Sequence, residues 1–387
     1  MKNGWKTATL GEACRFIDYR GKTPTKIDAG LRLITAKNVK MGFVQKEPLE
    51  YVSPDSYDGW MTRGIPKIGD VLFTTEAPLA NVAQLDTDER VVFAQRIIVL
   101  QPTDESLDRT FLKYQLLSDI LQDRIRENGT GATVQGIKAT LLKVIEIKVP
   151  PLAEQRRIVG ILDEAFEGIA TAKANAEKNL QNAHALFESH LQSVFTQRGD
   201  GWVDTQLGEF CEFFNGKAHE KCIDAEGSFV VVNSKFISSN GSVKKRTNDQ
   251  LFPLYVDDIV MVMSDVPNGK ALAKCYLIEQ DDTYTLNQRI CAIRTNRFTK
   301  RFLLYQLNRH PYLLAFDNKG SQANLRKNDI LSCPLFAPAD QEQRRIANRL
   351  DEVAKYSQRL ETIYQRKLAA LDNLKKSLLH QAFSGEL

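Results

Sequence analysis

The side chains suited to acting on another molecule gather in polar, basic and aromatic stretches. Early in the chain Arg20, Lys22, Thr23, Lys37, Asn38, Lys40 and Arg63 stand near Tyr19, Phe43 and Tyr57. A comparable later set is Lys217, His219, Asn233, Lys235, Lys244, Lys245, Arg246, Asn268 and Lys270. Two Gly-polar segments join them: GTGAT at 129–133, with Thr130 and Thr133, and GSQAN at 320–324, with Ser321 and Asn324 and then Arg326. Lys and Arg suit phosphates, while Arg, Asn and Gln make paired contacts with guanine or adenine edges in the major groove. These are therefore candidate DNA contacts, set against the ordinary place of lysines on a solvated surface. Gln95-Arg96 and Gln288-Arg289 read as structural support at least as readily as base readers.

Catalytic chemistry finds no comparable signal. Gly21-Lys22-Thr23 resembles the end of a phosphate-binding loop, but Phe16 stands where that motif needs glycine. No G-x-G-x-x-G lies between a strand and a helix, and there is no Cys-x-x-Cys or His-Glu-x-x-His. Cys211, His219 and Cys222 lack a fourth ligand at zinc-site spacing, so no metal is expected.

The elements that must carry these loops are repeated. PPLAEQRRIVGILDE at 150–164 returns as FAPADQEQRRIANRLDE at 336–352, with the EQRRI blocks offset by 188. Gly4-Trp5, Leu10-Gly11-Glu12, Cys14 and Phe16 return at an offset of 197 as Gly201-Trp202, Leu207-Gly208-Glu209, Cys211 and Phe213. Gln95-Arg96 meets Gln288-Arg289 at 193, and Tyr114-Gln115 meets Tyr305-Gln306 at 191. Such drift means loop insertions and deletions inside a shared fold. The chain is a tandem duplication: globular unit, long helix, globular unit, long helix.

After each block, apolar residues recur about every 3.6 positions, the period of one helix face. In the first copy they are Leu162, Ala165, Ile169, Ala172, Ala176, Leu180, Ala183, Phe187, Leu191 and Val194. In the second they are Ile346, Leu350, Val353, Tyr356, Leu360, Tyr364, Leu368, Leu371, Leu374, Leu378 and Ala382. Without internal proline, each reads as a helix of roughly 40–45 residues, about 65 Å long. Such helices need long partners, and the economical solution is that they bury each other, antiparallel about a pseudo-twofold axis. The alternative is two separate helices, each packed on its own domain. At the second, Asp340 and Gln343 form a D-x-x-Q capping pattern.

Within the first unit, 31–34, 71–75, 91–100 and 144–149 read as strands, and 111–126 as a helix ended by Asn128-Gly129. In the second unit 229–232, 258–263 and 289–293 are the comparable strands, and 302–315 the comparable helix, kinked or broken by Pro311. The fold class is thus α+β, two duplicated α/β globular domains joined by two long antiparallel helices in a coiled coil. The domains run 1–150, 151–198, 199–337 and 338–387, with a polar Gly199-Asp200-Gly201 linker between halves.

The 387 residues carry a net charge of +4 with 26% charged and 43% hydrophobic residues, an ordinary soluble composition. So small a charge neither proves nor excludes a nucleic-acid partner. No apolar run reaches membrane-spanning length, the start is no signal peptide, and six unpaired cysteines suit a reducing cytoplasm. Three functional classes remain: a non-catalytic DNA-recognition protein, an enzyme with its site between domains, and an assembly scaffold without a DNA role.

The opening GW-x4-LGE, the duplicated EQRRI with ILDE and RLDE, and the closing HQAFSGEL at 380–387 resemble the specificity subunit of bacterial type I restriction–modification systems. The resemblance covers essentially the whole chain, and its specificity lies in the duplicated arrangement more than in any one motif. It implies that each globular unit is a target recognition domain reading one half of a bipartite, asymmetric sequence in double-stranded DNA. It implies that the coiled coil sets the unread gap, on the order of 20 base pairs at most, and that two methyltransferase subunits dock on it. Nuclease/translocase subunits would complete the enzyme. S-adenosylmethionine, ATP and magnesium would serve those partners, leaving this chain without a cofactor or catalytic residues.

Overall fold

In a computed structural model the two long amphipathic runs are helices Leu152–Thr196 and Asp340–Ser384, of 45 residues each. The structure describes residues 4–387 except 22, 95, 132–134, 200, 267–268 and 318–321. Lys22, Thr133, Asn268 and Ser321 of the candidate DNA contacts therefore lie outside the described residues. The chain divides into one unit of Met1–Lys178 with Tyr364–Leu387 and another of Asn179–Ile363. Each unit holds one globular part, the beginning of one long helix and the end of the other.

In the first unit a four-stranded antiparallel sheet runs Cys14–Asp18, Ile97–Pro102, Val71–Thr74, Val82–Gln84. In the second, Glu212–Asn215, Ile290–Arg294, Ile259–Val262 and Cys275–Leu277 follow the same antiparallel order. A second sheet accompanies each, of four strands in the first unit and three in the second, and contains one parallel pairing: Leu31–Ile34 with Val92–Phe93, and Phe229–Val232 with Tyr284–Leu286. The strands before the long helices pair with the strands that open each repeat, Lys6–Thr9 with Glu146–Val149 and Val203–Gln206 with Pro334–Ala337.

The repeated short motifs are joints of this frame. Leu10-Gly11-Glu12 and Leu207-Gly208-Glu209 form one-turn helices, and the buried leucines donate N–H to the carbonyls of Ile145 and Cys333. A side chain on Gly11 would lie 3.1 Å from Lys143, and one on Gly208 3.2 Å from Leu331. Gln115 Nε2 donates to the Lys148 carbonyl at 3.1 Å, and Gln306 Nε2 to that of Phe336 at 3.0 Å.

Each long helix is locked to its globular part by the glutamine of EQRRI. Gln155 is fully buried; its Oε1 accepts the Asp108 N–H at 2.8 Å, and its Nε2 donates to the carbonyls of Ser106 and Pro150. Gln343 accepts from the Thr299 N–H at 2.9 Å and donates to the Pro338 carbonyl. This corrects the D-x-x-Q capping box: the helix starts at Asp340 itself, and the Gln343 amide is committed to the globular part. Two turns on, the Tyr114 and Tyr305 hydroxyls donate to Asp163 and Asp351, the aspartates of ILDE and RLDE.

The helices run antiparallel within each unit. In the first, Arg157 reaches the Leu387 carbonyl and Lys173 pairs with Asp372 at 2.7 Å. In the second, Ser357 donates its hydroxyl to the Ala183 carbonyl and His184 meets Glu361 at 2.9 Å. Leu162, Ile169, Ala176 and Ala183 are buried and seven residues apart, the heptad repeat of a coiled coil. On the second helix the buried position after Leu350 is Ser357, while Tyr356, expected on the apolar stripe, is 58% exposed. Seven-residue spacing takes the face from 350 to 357; a mean step of 3.6 accepts 356 equally well.

Three expected elements are interrupted. The helix expected over 111–126 is Arg109–Leu117 followed by Asp119–Glu127, because buried Ser118 turns extended and caps the second segment. Its counterpart is broken, as Pro311 led one to expect: it stops at Leu307 and restarts at Pro311, which opens the new helix. The strand expected over 91–100 is broken into Val92–Phe93 and Ile97–Pro102 around Arg96. Of the six free cysteines three are buried, and burial pushes the thiols of Cys14, Cys291 and Cys333 up to about 12.

If the glutamine locks carry this joint, Gln155→Ala or Gln343→Ala should each destabilise the chain by about 2–3 kcal/mol, since each strands buried backbone groups. Arg156→Ala, one residue along and exposed, should stay within about 0.5 kcal/mol. Urea unfolding followed by circular dichroism separates the two outcomes.

Candidate nucleic-acid interface

Three segments meet at the end of a central strand in each unit. In the first, the Thr75 N–H donates to the Arg96 carbonyl at 2.8 Å, and the Thr75 carbonyl accepts from the Ile137 N–H at 2.9 Å. In the second, the Met263 N–H donates to the Arg289 carbonyl at 2.9 Å, and the Met263 carbonyl accepts from the Leu325 N–H at 2.8 Å. One strand end is thus clasped between the Gln-Arg segment and the return of the Gly-polar loop, twice over. The arginines sit in the left-handed region, φ 66° for Arg96 and 70° for Arg289. A non-glycine residue there costs on the order of 1 kcal/mol, and such strain collects at functional sites.

The Gly-polar loop is closed where it joins this clasp. Thr130 and Gly136 exchange backbone hydrogen bonds at 2.8 and 2.9 Å, and Gly136 bridges to Glu76. A side chain on Gly136 would stand 3.2 Å from Glu76 Cβ and 3.3 Å from the Thr75 carbonyl, so a Cβ there would press on the strand and its neighbours would have to give. The counterpart is a two-residue pairing of Ser264–Asp265 with Ala323–Asn324.

In the first unit the clasp opens into a polar groove of about 470 Å³ lined by Arg20, Thr23, Glu76, Arg96, Thr130 and Lys138 among others. Three of these are the candidates Arg20, Thr23 and Thr130, brought together from distant positions. Arg20 is gripped by Asp18, Nε to Oδ1 at 2.8 Å and Nη2 to Oδ2 at 2.6 Å. Burial works to raise the Asp18 carboxyl, but Arg20 and Arg63 outweigh it and hold it below the usual carboxylate range. Arg96 Nε lies 3.0 Å from Glu76 Oε1, with both side chains about half exposed.

The remaining candidates lie elsewhere on the frame. Asn38 is fully buried, accepting the Thr35 N–H and donating to the carbonyls of Gln45 and Pro48, so it shapes the 35–48 loop that presents exposed Lys37, half-buried Lys40 and Phe43, the last 58% exposed. Arg63 donates to the Asp18 and Arg20 carbonyls, bracing the Arg20 turn. In the second unit His219 is also fully buried, with one ring nitrogen 2.7 Å from the Lys217 carbonyl and the other 3.0 Å from Thr285 Oγ1. Asn233 caps helix Ser234–Ser238, and Arg246 donates to the Gly227 carbonyl. Lys217, Lys235, Lys244, Lys245, Lys270, Asn324 and Arg326 are exposed.

The type I restriction modification DNA specificity domain matches residues 2–181 and again 199–368. The chain belongs to that family. The StySPI specificity subunit of Salmonella potsdam is 22% identical over 100% of this chain and 90% of its own length. The EcoKI specificity subunit of Escherichia coli K12 is 22% identical over 75% of this chain and 68% of its own. Among solved structures, a chain from work on assembly and conformational transition of the type I R-M system superposes with TM-score 0.80 at 19% identity, covering 100% of this chain and 99% of that one. The HsdS subunit of Thermoanaerobacter tengcongensis gives 0.62 at 20% identity, covering 100% and 98%.

Glu76, Arg96 and Lys138 were not singled out as contacts in the sequence. The Gln-Arg repeat was visible, but a left-handed arginine leaves no mark, since only glycine advertises that backbone. Glu76 was hidden because its counterpart, at the offset of 188 that relates Thr75 to Met263, is the uncharged Ser264.

If Gly136 is required for this close approach, Gly136→Val should accelerate limited proteolysis within residues 129–136 by about ten-fold, through local opening. Far-ultraviolet circular dichroism should be unchanged.

Proposed function

We propose that this chain is the DNA sequence-recognition subunit of a type I restriction–modification enzyme. Each globular part reads one half of a bipartite, asymmetric double-stranded site. The long helices set the separation of the halves and dock two methyltransferase subunits, to which nuclease/translocase subunits are added. The chain itself is non-catalytic and works in the cytoplasm; S-adenosylmethionine, ATP and magnesium belong to its partners.

The observation that carries this reading is the duplicated clasp. The same backbone hydrogen bonds recur at Thr75 and Met263, while the side chains around them differ. A fixed frame presenting different loops suits two readers of unlike sequence. Basic residues would supply register on phosphates, and side chains near the Gly-polar loops would reach base edges. Family membership supports the reading of both halves as recognition domains.

The test is selection from a random duplex library by the chain together with its methyltransferase, scored by binding and adenine methylation. Two short, unlike motifs at a fixed gap are expected. Exchanging residues 1–150 for the corresponding part of a relative should change one motif and leave the other. Equal change in both would sink the modular reading.

A further inference from the structure

The residues that follow the two clasped strand ends differ: Glu76 follows Thr75, and Ser264 follows Met263. In the first unit Arg96 Nε lies 3.0 Å from Glu76 Oε1, and Nη1 and Nη2 donate no hydrogen bond among the described residues. Arg20, on the same groove, has given Nε and Nη2 to Asp18. In the second unit the position of Glu76 is held by Ser264, whose hydroxyl accepts from Gln322 Nε2, and the next residue, Asp265, turns back on its own loop to accept the N–H groups of Val266, Ala271 and Leu272. Arg289 is exposed there and makes no ion pair among the described residues.

We propose that Arg96 is a specificity-determining residue that reads a guanine in one half-site, with Glu76 as its positioning residue, and that Arg289 contacts a phosphate. This rests on the proposed DNA-recognition function and deepens it. A carboxylate beside Arg96 cancels most of its long-range pull on a phosphate, so the pair is poorly suited to backbone binding. What remains is an oriented donor pair, the complement of guanine O6 and N7 in the major groove. The backbone reinforces that orientation, because the Arg96 carbonyl receives both the N–H and the hydroxyl of Thr75. Arg289 has no carboxylate against it among the described residues, which suits a phosphate that fixes register without reading sequence.

The experiment is library selection at several salt concentrations with the full chain and its methyltransferase, comparing unsubstituted protein, Arg96→Gln, Glu76→Gln and Arg289→Gln. Arg96→Gln should lose about ten-fold or more of the preference for guanine at one position of one half, with the salt slope nearly unchanged. Glu76→Gln should weaken the same preference while strengthening binding to unrelated DNA, since a negative charge has gone. Arg289→Gln should leave both motifs intact and lower the salt slope by about 0.9. Persistence of the other half-site's motif in the Arg96 variant shows that the chain has folded. If Arg96→Gln keeps every base preference, or weakens all sequences alike with a lower salt slope, the guanine assignment is wrong while the recognition function stands. If the unsubstituted complex selects no motif, the recognition function itself fails and this assignment with it.

Discussion

The buried amide of one glutamine sets the relation between sheet and helix in each half of this protein. Gln155 and Gln343 satisfy backbone groups that would otherwise be stranded where the last strand turns into a long helix. An amide that accepts on one side and donates on the other has little freedom to rotate without leaving a buried group unpaired. It therefore fixes the phase at which the helix leaves the sheet, and so which of its faces is offered to the antiparallel partner. The tyrosine–aspartate contacts two turns later, Tyr114 with Asp163 and Tyr305 with Asp351, hold that phase along the helix.

Once the phase is fixed, heptad spacing decides the remainder of the helix pairing. Small residues on the first helix, Ala176 and Ala183, let the backbones come close, and Ser357 uses that closeness to donate to the Ala183 carbonyl. The ion pairs Lys173–Asp372 and His184–Glu361 are partly exposed and contribute little to stability. Burial of Leu162, Ile169, Ala176 and Ala183 on the first helix, with the lock at each helix start, is what holds these segments together.

Legibility in the sequence followed the same division. Residues that make the frame were legible because two copies had to keep them: the tryptophan and LGE of each opening, the EQRRI glutamine, the Tyr-Gln pair. The long helices and the order of the principal strands followed from periodicity. Breaks were harder to see, since Ser118 interrupts a helix by becoming buried and Arg96 interrupts a strand by adopting a positive φ, and neither residue type announces this. Loop residues were least legible. Asn38 and His219 look from their types like groups offered to a ligand, yet the fold spends both on internal hydrogen bonds. Whether a polar side chain faces inward is set by the path of its loop, which composition does not encode.

The two halves also show why such a frame tolerates change at its rim. Buried Asp70 accepts from Arg109 and Gln101, while its counterpart Asp258 accepts from Arg294, which stands on the strand position of Gln101 and lies over the rings of Phe214 and Tyr255. The aspartate stays and the cation arrives from a different element, because the requirement is only that a buried carboxylate be neutralised and hydrogen-bonded. At the clasp the hydrogen bonds that matter are main-chain ones, indifferent to whether the strand ends in threonine or methionine. Side chains around them can then differ in charge and reach without unfolding the unit. A recognition surface that must vary while its support stays constant is best built on backbone contacts, and the Thr75 and Met263 clasps are built that way.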